Sequence, residues 1–400
     1  MEKIKKVQLS EIAELITKGT TPTTLGYEFQ DEGVNFLKIE CFDEFGNYLP
    51  EKAAHISEEC NEKLKRSQLK AGDVLFSIAG AIGRVGIVTE NMLPANTNQA
   101  LAIIRINSDE VYLPYIKLIL TSPIVKKQFE KKKQGVAQLN LSLKDINEIS
   151  IPLPSKEKQI EYAELFAKVS GILDHRKEEL ESLDELIKAR FVEMFGDPVQ
   201  NTKGWDMPLI EEVVANEKNA IKAGPFGSAL KKEYYVESGY KIYGQEQVIS
   251  GDYTYGDYYI DEERYKSLEN CAVQAGDVLI SLVGTYGKLL IMPETFEPGI
   301  INPRLMKITF DKELVNPYYF KYFFQSESLK KSLSDNTHGG TMDILNLGIV
   351  RKIAMPLPPI ELQNEFVAFV KQVDKSKVKV QKALNETRLL FDSMMQEFFG

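Results

Sequence analysis

Apolar side chains recur at heptad spacing along two long stretches, each of which follows a Pro-Leu-Pro sequence. This periodicity over about 40 residues predicts helices about 60 Å long, which exceeds the usual globular length. Pro-Leu-Pro predicts where each helix begins, because proline neither continues a strand ladder nor fits inside a helix. The positions of the two apolar stripes are Phe166, Val169, Leu173, Leu180, Leu183, Ile187 and Met194, then Val370, Val373, Val380, Leu384, Phe391 and Met394.

The two stripes complement each other where one of them is interrupted. Arg176 in the first corresponds to Val380 in the second, and Arg190 corresponds to Met394. This complementarity predicts that the two helices pack on each other as a coiled coil. Two separate amphipathic helices, each lying on its own domain, remain the alternative.

The long stretches belong to a duplication of the whole chain at an offset of 204 residues. Thus Gly276–Met292 repeats Gly72–Val88, a Gly-Asp turn followed by a buried strand, a tight turn and another strand. Strand-like and helical segments alternate irregularly in each copy. This pattern predicts that each copy forms a mixed α/β domain. Residues 17–70 and 217–274 share almost no identity, so the scaffold is duplicated and one segment of each copy differs.

Composition places the chain among soluble proteins with sizeable cores. It has 400 residues, of which 43% are hydrophobic, and it contains no apolar run long enough to span a membrane. The N-terminus lacks the apolar core of a signal peptide, and three cysteines predict a reducing compartment without a zinc site. We therefore expect a cytoplasmic protein that does not bind a membrane.

Catalytic motifs are absent from the sequence. There are three histidines, no His-Glu-x-x-His or Cys-x-x-Cys motif and no phosphate-binding loop. Asn316-Pro-Tyr-Tyr resembles the Asn-Pro-Pro-Tyr motif of adenine methyltransferases, but the other copy has Tyr112-Leu-Pro-Tyr there. An asparagine helix cap followed by proline explains both copies. An enzyme with one site between two lobes would need a shared titratable cluster, and the sequence offers none.

Four features together identify a family resemblance. They are the Gly-Asp-Val framework of both copies, a Gly135-containing segment leading through LSLKDINEISIPLP into the first long helix, the ending FxxMFGDP of that helix, and the duplication. This combination is similar to the specificity subunit of type I restriction-modification systems over essentially all 400 residues. GPFGS at residues 224–228 resembles the opening of many target-recognition domains in that family. Of the usual Glu-Gln after Pro-Leu-Pro, only the glutamines Gln159 and Gln363 are retained.

The resemblance implies a mixed α/β (α+β) fold with two pseudo-repeat target-recognition domains, each with a twisted mixed sheet and helices. Two long antiparallel coiled-coil helices would join them. The implied segments are residues 1–154 for the first recognition domain, 155–200 for the central helix, 201–358 for the second recognition domain and 359–400 for the C-terminal helix. Each recognition domain would bind one half of a bipartite, asymmetric DNA site, and the helices would set the spacer between the halves.

The resemblance also implies a non-catalytic chain that works with partners. These are double-stranded DNA, two methyltransferase subunits docked on the helices, and restriction or translocase subunits. S-adenosylmethionine, ATP and Mg²⁺ would act in the partner subunits, and this chain would bind no cofactor. A chain that binds DNA alone is usually basic, and this one has a net charge of −9. Strong contacts to phosphates would therefore have to come partly from the partner chains. The alternative function is a coiled-coil assembly scaffold that does not read DNA.

Polar and basic side chains in loops are the candidates for DNA contact, because base edges are read by such groups. In the first domain they are Lys18, Thr20, Thr21, Thr23, Thr24, Lys38, Arg84, Lys131, Lys132, Lys133 and Gln138. In the second they are Lys222, Ser228, Lys231, Lys232, Tyr243, Gln245, Gln247, Tyr286, Lys288, Asn302, Arg304, His338 and Thr341, together with the apolar Phe226. A solvated helix end is the alternative for the lysine run at 131–133.

Overall fold

A computed structural model describes residues 4–130, 140–226, 229–282, 288–335 and 345–400. The chain forms two compact units. Unit 1 comprises Met1–Glu178 together with Val380–Gly400, and unit 2 comprises Glu179–Lys379. The last residues of the chain therefore complete the first unit.

Unit 1 is built on an antiparallel sheet and a smaller mixed sheet. Its strands are β1 (Lys5–Gln8), β2 (Ala13–Lys18), β3 (Val34–Leu37), β4 (Ala54–Ile56), β5 (Val74–Ser77), β6 (Val85–Ile87), β7 (Ala95–Thr97), β8 (Leu101–Ile106) and β9 (Ser150–Leu153). The four-stranded sheet has the order β2-β8-β5-β6, and the three-stranded sheet has the order β4-β3-β7, with β3 parallel to β7. Strands β1 and β9 pair antiparallel. Its helices are α1 (Leu9–Ile12), α2 (Glu58–Lys63), α3 (Leu113–Leu120), α4 (Pro123–Glu130), α5 (Leu143–Asn147) and the first part of α6 (Lys156–Phe195).

Unit 2 repeats both sheets. Its strands are β10 (Ile221–Ala223), β11 (Tyr240–Tyr243), β12 (Tyr259–Ile260), β13 (Val278–Ser281), β14 (Leu289–Ile291), β15 (Gly299–Ile301) and β16 (Leu305–Ile308). The antiparallel order β10-β16-β13-β14 corresponds to β2-β8-β5-β6, and β12-β11-β15 corresponds to β4-β3-β7. Its helices are the second part of α6, α7 (Gln245–Ser250), α8 (Glu262–Ser267), α9 (Pro317–Phe324), α10 (Glu327–Asp335), α11 (Leu347–Arg351) and the first part of α12 (Ile360–Phe399), whose last part belongs to unit 1. The mixed α/β fold predicted from the sequence is confirmed.

The Gly-Asp turn common to both copies fixes a buried carboxylate next to the central strand. Asp73 accepts two hydrogen bonds from the Arg105 guanidinium, both 2.7 Å long, and one from the Lys70 backbone N–H at 2.8 Å. Asp277 accepts from the Lys307 ammonium at 3.2 Å and also bonds the Thr309 hydroxyl. A buried carboxylate needs such partners. Both copies therefore pair this aspartate with a cation, which is Arg105 in unit 1 and Lys307 in unit 2.

The long helices pack antiparallel within each unit. In unit 1, Phe166 of α6 lies 5.4 Å from Phe391 and 5.7 Å from Phe399 of α12, measured between ring centroids. In unit 2, Phe191 and Phe195 each lie 5.5 Å from Phe366. All positions of the predicted apolar stripes are buried or half-buried. The stripe prediction omitted Phe191, Phe195 and Phe366, which are 4%, 1% and 0% exposed and form the centre of the unit 2 contact.

Candidate functional site

Several candidate residues of unit 2 converge at one side of its antiparallel sheet. We call this side, where β10 and β13 end and β14 and β16 begin, the loop edge of unit 2. The strand register places these ends together, since Ala223 pairs with Met306 and Ser281 pairs with Leu305. The predicted residues at or beside this edge are Lys222, Phe226, Gln245, Lys288, Asn302 and Arg304.

A hydrogen-bonded chain orders the polar side chains of this loop edge. The Gln245 amide donates to the Ser281 hydroxyl at 2.8 Å, and the Arg304 guanidinium donates to the Gln245 carbonyl oxygen at 3.2 Å. The Asn302 side-chain oxygen accepts the Arg304 backbone N–H at 2.9 Å, which fixes the turn before β16. Arg304 is exposed. Guanidinium and amide groups held in this way are the groups that bind guanine and adenine edges in the major groove.

Basic residues lie on the surface of the same unit. Lys231, Lys232 and Lys288 are exposed, while Lys222 is half-buried on β10. The Lys231 ammonium lies 3.3 Å from the Glu233 carboxylate, which is also exposed. Exposed ammonium groups of this kind provide contacts to phosphates, which set position rather than sequence.

Two predicted residues of unit 2 are committed to the interior instead. Tyr243 is 0% exposed, its hydroxyl donates to the Glu297 backbone carbonyl at 2.6 Å, and burial raises its pKa. Gln247 is 2% exposed, accepts the Gly244 N–H at 2.9 Å and donates to the Tyr255 carbonyl at 2.8 Å. Tyr243 thus bonds the segment before β15 and Gln247 bonds the turn between β11 and α7, so we leave both out of the proposed interface.

Unit 1 places its candidates at the equivalent side of its own sheet, where β2 and β5 end and β6 and β8 begin. We call this the loop edge of unit 1. Lys18 is exposed at the end of β2, and the Thr20 N–H donates to the Thr97 carbonyl at 3.1 Å. Thr23 and Thr24 are exposed in the short 3₁₀ helix that follows. The Lys38 ammonium lies 4.6 Å from the centre of the Phe29 ring, directly after β3.

Gln99 belongs to this edge, although the sequence did not single it out. Its side-chain oxygen accepts the Thr21 backbone N–H at 3.1 Å and also bonds the Thr21 hydroxyl. The neighbouring Asn98, which is repeated as Asn302, could have indicated this turn. Its side-chain oxygen accepts the Ala100 N–H at 3.1 Å, as that of Asn302 accepts the Arg304 N–H. Gln99 was missed because its counterpart in the repeat is Pro303.

Two glycines shape the loop edges. A Cβ at Gly19 would lie 2.0 Å from the Thr97 carbonyl oxygen, and a Cβ at Gly224 would lie 1.9 Å from the Asn302 carbonyl oxygen. Such distances are impossible for any other residue without movement of the backbone. Close backbone packing therefore fixes the first loop of each edge.

Arg84 directly precedes β6 and lines a cleft of unit 1 with a volume of about 1200 Å³. Its guanidinium donates to the Phe42 carbonyl at 3.4 Å. Lys117 lines the same cleft, and burial lowers its pKa. The cleft walls carry both cations and carboxylates, including Glu44 and Asp174.

A tight turn, Asp43–Asn47, connects this cleft to both long helices, and we call it the clip. The Glu44 carboxylate lies 2.6 Å from the Lys177 ammonium of α6 and 2.7 Å from the Arg388 guanidinium of α12. Phe45 packs against Phe391, with 5.7 Å between ring centroids. The Asp43 carboxylate accepts the backbone N–H groups of Phe45 and Asn47 at 2.8 Å, which holds the turn rigid.

Several sequence candidates fall on positions outside the described ranges. They are Lys131, Lys132, Lys133, Gln138, Ser228, Tyr286, His338 and Thr341. Within the described ranges, no group of three or more His, Cys, Asp or Glu side chains is arranged to hold a metal ion. Among those residues no helix is both long enough and apolar enough to cross a membrane.

The methyltransferase-like Asn-Pro-Tyr-Tyr sequence is a helix start. The Asn316 side-chain oxygen accepts the Tyr318 backbone N–H at 3.0 Å, and Pro317 occupies the first position of α9. The Asn316 side-chain amide donates to the Asn364 side-chain oxygen at 2.7 Å. The predicted capping role is confirmed.

The family comparison covers most of the chain. Residues 1–183 and 218–387 match the sequence model described as the type I restriction modification DNA specificity domain. The EcoBI specificity subunit of Escherichia coli is 33% identical over 186 residues, which is 44% of this chain and 39% of that subunit. The chain thus spans about two fifths of that relative. The putative MjaX specificity subunit of Methanocaldococcus jannaschii is 22% identical over 94% of this chain and 89% of that subunit.

Solved structures share the fold. A chain from a structure on complex assembly and conformational transition of the type I R-M system has a TM-score of 0.64 and 18% identity, covering 100% of this chain and 98% of that one. The S subunit of a type I restriction-modification system from M. genitalium has a TM-score of 0.50 and 14% identity, covering 100% of this chain and 97% of that one.

Proposed function

The chain belongs to the family of type I restriction modification DNA specificity domains, and from this premise we propose that it is the DNA-recognition subunit of such a system. Each unit binds one half of a bipartite, asymmetric site in double-stranded DNA. The paired helices set the spacer and dock two methyltransferase subunits, and restriction or translocase subunits join the complex. The chain itself has no catalytic role, and S-adenosylmethionine, ATP and Mg²⁺ act in the partners. Segments 1–154 and 201–358 are the two recognition domains, and segments 155–200 and 359–400 are the two long helices.

One observation supports the proposal above the others. Both units present a loop edge on the same strand framework, anchored by Gly19 in one and by Gly224 in the other. The side chains on that framework differ, since unit 1 offers Thr21 with Gln99 where unit 2 offers Arg304 with Gln245. A shared framework with different hydrogen-bonding groups fits two readers of two different base sequences.

The loop edge of unit 2 is tested by removing its guanidinium. We expect Arg304→Ala, assembled with the methyltransferase subunits of its own system, to lose discrimination for one half-site by about 1–3 kcal/mol.

Lys231→Ala combined with Lys232→Ala should weaken binding to all duplexes and lower the slope of log affinity against log salt by about 0.9 for each phosphate that is no longer neutralised. Fluorescence anisotropy with the cognate duplex, and with each half-site scrambled in turn, measures both effects.

Lys312→Ala provides the control, because this exposed lysine follows the opposite end of β16. It should bind like the unaltered chain. Equal discrimination by Arg304→Ala and the unaltered chain would remove the loop edge from the recognition surface. A complex that binds every duplex equally well, whatever its sequence, would favour the assembly scaffold.

A further inference from the structure

An aromatic side chain stands in solvent at the loop edge of unit 2. Phe226 is 81% exposed, more than any other large hydrophobic residue that the structure describes. Other phenylalanines of this unit, such as Phe320, Phe323 and Phe324, are completely buried. Exposing a phenyl ring is unfavourable by the hydrophobic effect, so a partner that covered this ring would gain that free energy on binding.

The backbone holds this ring in place on both sides. Two residues earlier, the Gly224 N–H donates to the Leu305 carbonyl at 2.9 Å, and the Gly224 backbone is pressed against Asn302. Three residues later, the Ala229 N–H donates to the Phe226 carbonyl at 3.3 Å, and Leu230 then enters the core at 8% exposure. The main chain that carries the ring is therefore hydrogen-bonded both before and after it.

The surroundings of the ring favour a nucleic acid over an apolar protein surface. The loop that carries it packs on Asn302, which caps the turn to Arg304, and Arg304 bonds Gln245. Asn302, Arg304 and Gln245 belong to the same loop edge as Phe226, and their side chains are hydrogen-bonding or cationic groups. An isolated aromatic ring among base-reading groups matches the way in which proteins stack on bases or wedge between base steps.

The equivalent place in unit 1 lacks such a ring. Gly19 corresponds to Gly224, since its N–H donates to the Leu101 carbonyl in the same turn. Two residues further, unit 1 has Thr21, whose backbone N–H and hydroxyl both bond Gln99. At this point unit 1 therefore has a hydrogen-bonding side chain, whereas unit 2 has an apolar ring.

We propose that Phe226 inserts into the base stack of the half-site bound by unit 2 and unstacks one base step. This inference rests on the proposed DNA recognition and adds that the two half-sites are treated differently. Unit 2 deforms its half-site, whereas unit 1 binds its half-site without a wedge. Deformability of the contacted step then contributes to specificity in one half of the site only.

The experiment uses the full chain assembled with its methyltransferase subunits and a duplex carrying the mapped site. Adenines in and beside each half-site are replaced one at a time by 2-aminopurine, whose fluorescence rises when it is unstacked. We expect a rise at one step of one half-site with the unaltered chain and none with Phe226→Ala. Affinity of Phe226→Ala for this duplex should fall roughly tenfold, and Phe226→Tyr should restore both signals. S-adenosylmethionine is omitted to limit base movements caused by methyl transfer.

The outcomes separate this inference from the proposed function. Equal fluorescence with Phe226→Ala and the unaltered chain, or no rise at any position, would overturn the wedge while sequence-specific binding stands. Absence of sequence-specific binding by the unaltered complex would overturn the proposed function and the wedge together. Loss of the methyltransferase subunits from Phe226→Ala would show that the ring contacts protein, which also overturns the wedge. Because the ring is exposed, the variant should keep the unfolding temperature of the unaltered chain.

Discussion

Two buried glutamines show how single residues connect each recognition unit to its long helix. The Gln159 oxygen accepts the Tyr112 N–H at 2.9 Å, and its amide donates to the carbonyls of Glu110 and Pro154 at 2.9 Å. Gln363 makes the same three bonds, to Asn316, Leu314 and Pro358. The glutamine retained after Pro-Leu-Pro in both copies thus has a structural reason, since it joins the helix start to the loop before α3 or α9.

Loss of one glutamine should destabilise its unit. Gln363→Ala leaves one N–H and two carbonyls without their buried partner, so we expect the free energy of unfolding to fall by about 2–4 kcal/mol. Urea unfolding followed by circular dichroism measures this change. Gln372→Ala on the exposed face of α12 is the matched control and should change stability by less than about 0.5 kcal/mol. A loss at Gln363 no larger than at Gln372 would contradict the anchoring role.

Elements with strong periodicity or a repeat could be predicted from the sequence. The long helices, the buried strands β5 and β13 and the Asn316 cap follow from local patterns that the structure retains. The clip could not be predicted, because Asp43–Asn47 reads only as a turn and its partners lie more than a hundred residues away. The burial of Gln247 could not be predicted either, because a polar side chain that bonds a local turn looks like an exposed one in the sequence.

The clip should respond to acid. Burial alone would raise the pKa of Glu44, but hydrogen bonds and charge from Lys177 and Arg388 hold it below its usual value of 4.5. Because the pKa is lowered on folding, the contribution of Glu44 is complete above pH 4.5 and disappears as pH falls through the lowered pKa. Glu44→Gln should therefore lower stability by about 0.5–1 kcal/mol at pH 7, a small value because the pair is partly exposed, and should matter less in acid.

Chemical unfolding between pH 3 and pH 7 measures this dependence. Glu40→Gln removes an exposed carboxylate four residues earlier and serves as the control. If the free energy of unfolding of Glu44→Gln were lower than that of the unaltered chain by the same amount at every pH, the ion pairs with α6 and α12 would not stabilise unit 1.

The molecule as a whole consists of a duplicated framework that carries divergent segments. Sequence alone identified the duplication and the family, because both depend on repeated framework residues such as Asp73 and Asp277. It identified the loop edges less well, because the Gln99 bonds to Thr21 form only where strand ends meet in space. The net charge of −9 is in keeping with the proposal that partner subunits supply part of the contacts to DNA phosphates.

Genome-wide mapping of N6-methyladenine tests the central claim most directly. Cells carry the methyltransferase of the system together with the unaltered chain, with no chain, or with a chain altered at one loop edge. We expect a bipartite motif that disappears without the chain, that loses definition in one half with Arg304→Ala, and that loses definition in the other half with Gln99→Ala. A motif that persists without the chain, or that loses both halves together with either variant although the complex assembles, would contradict the assignment of one half-site to each unit.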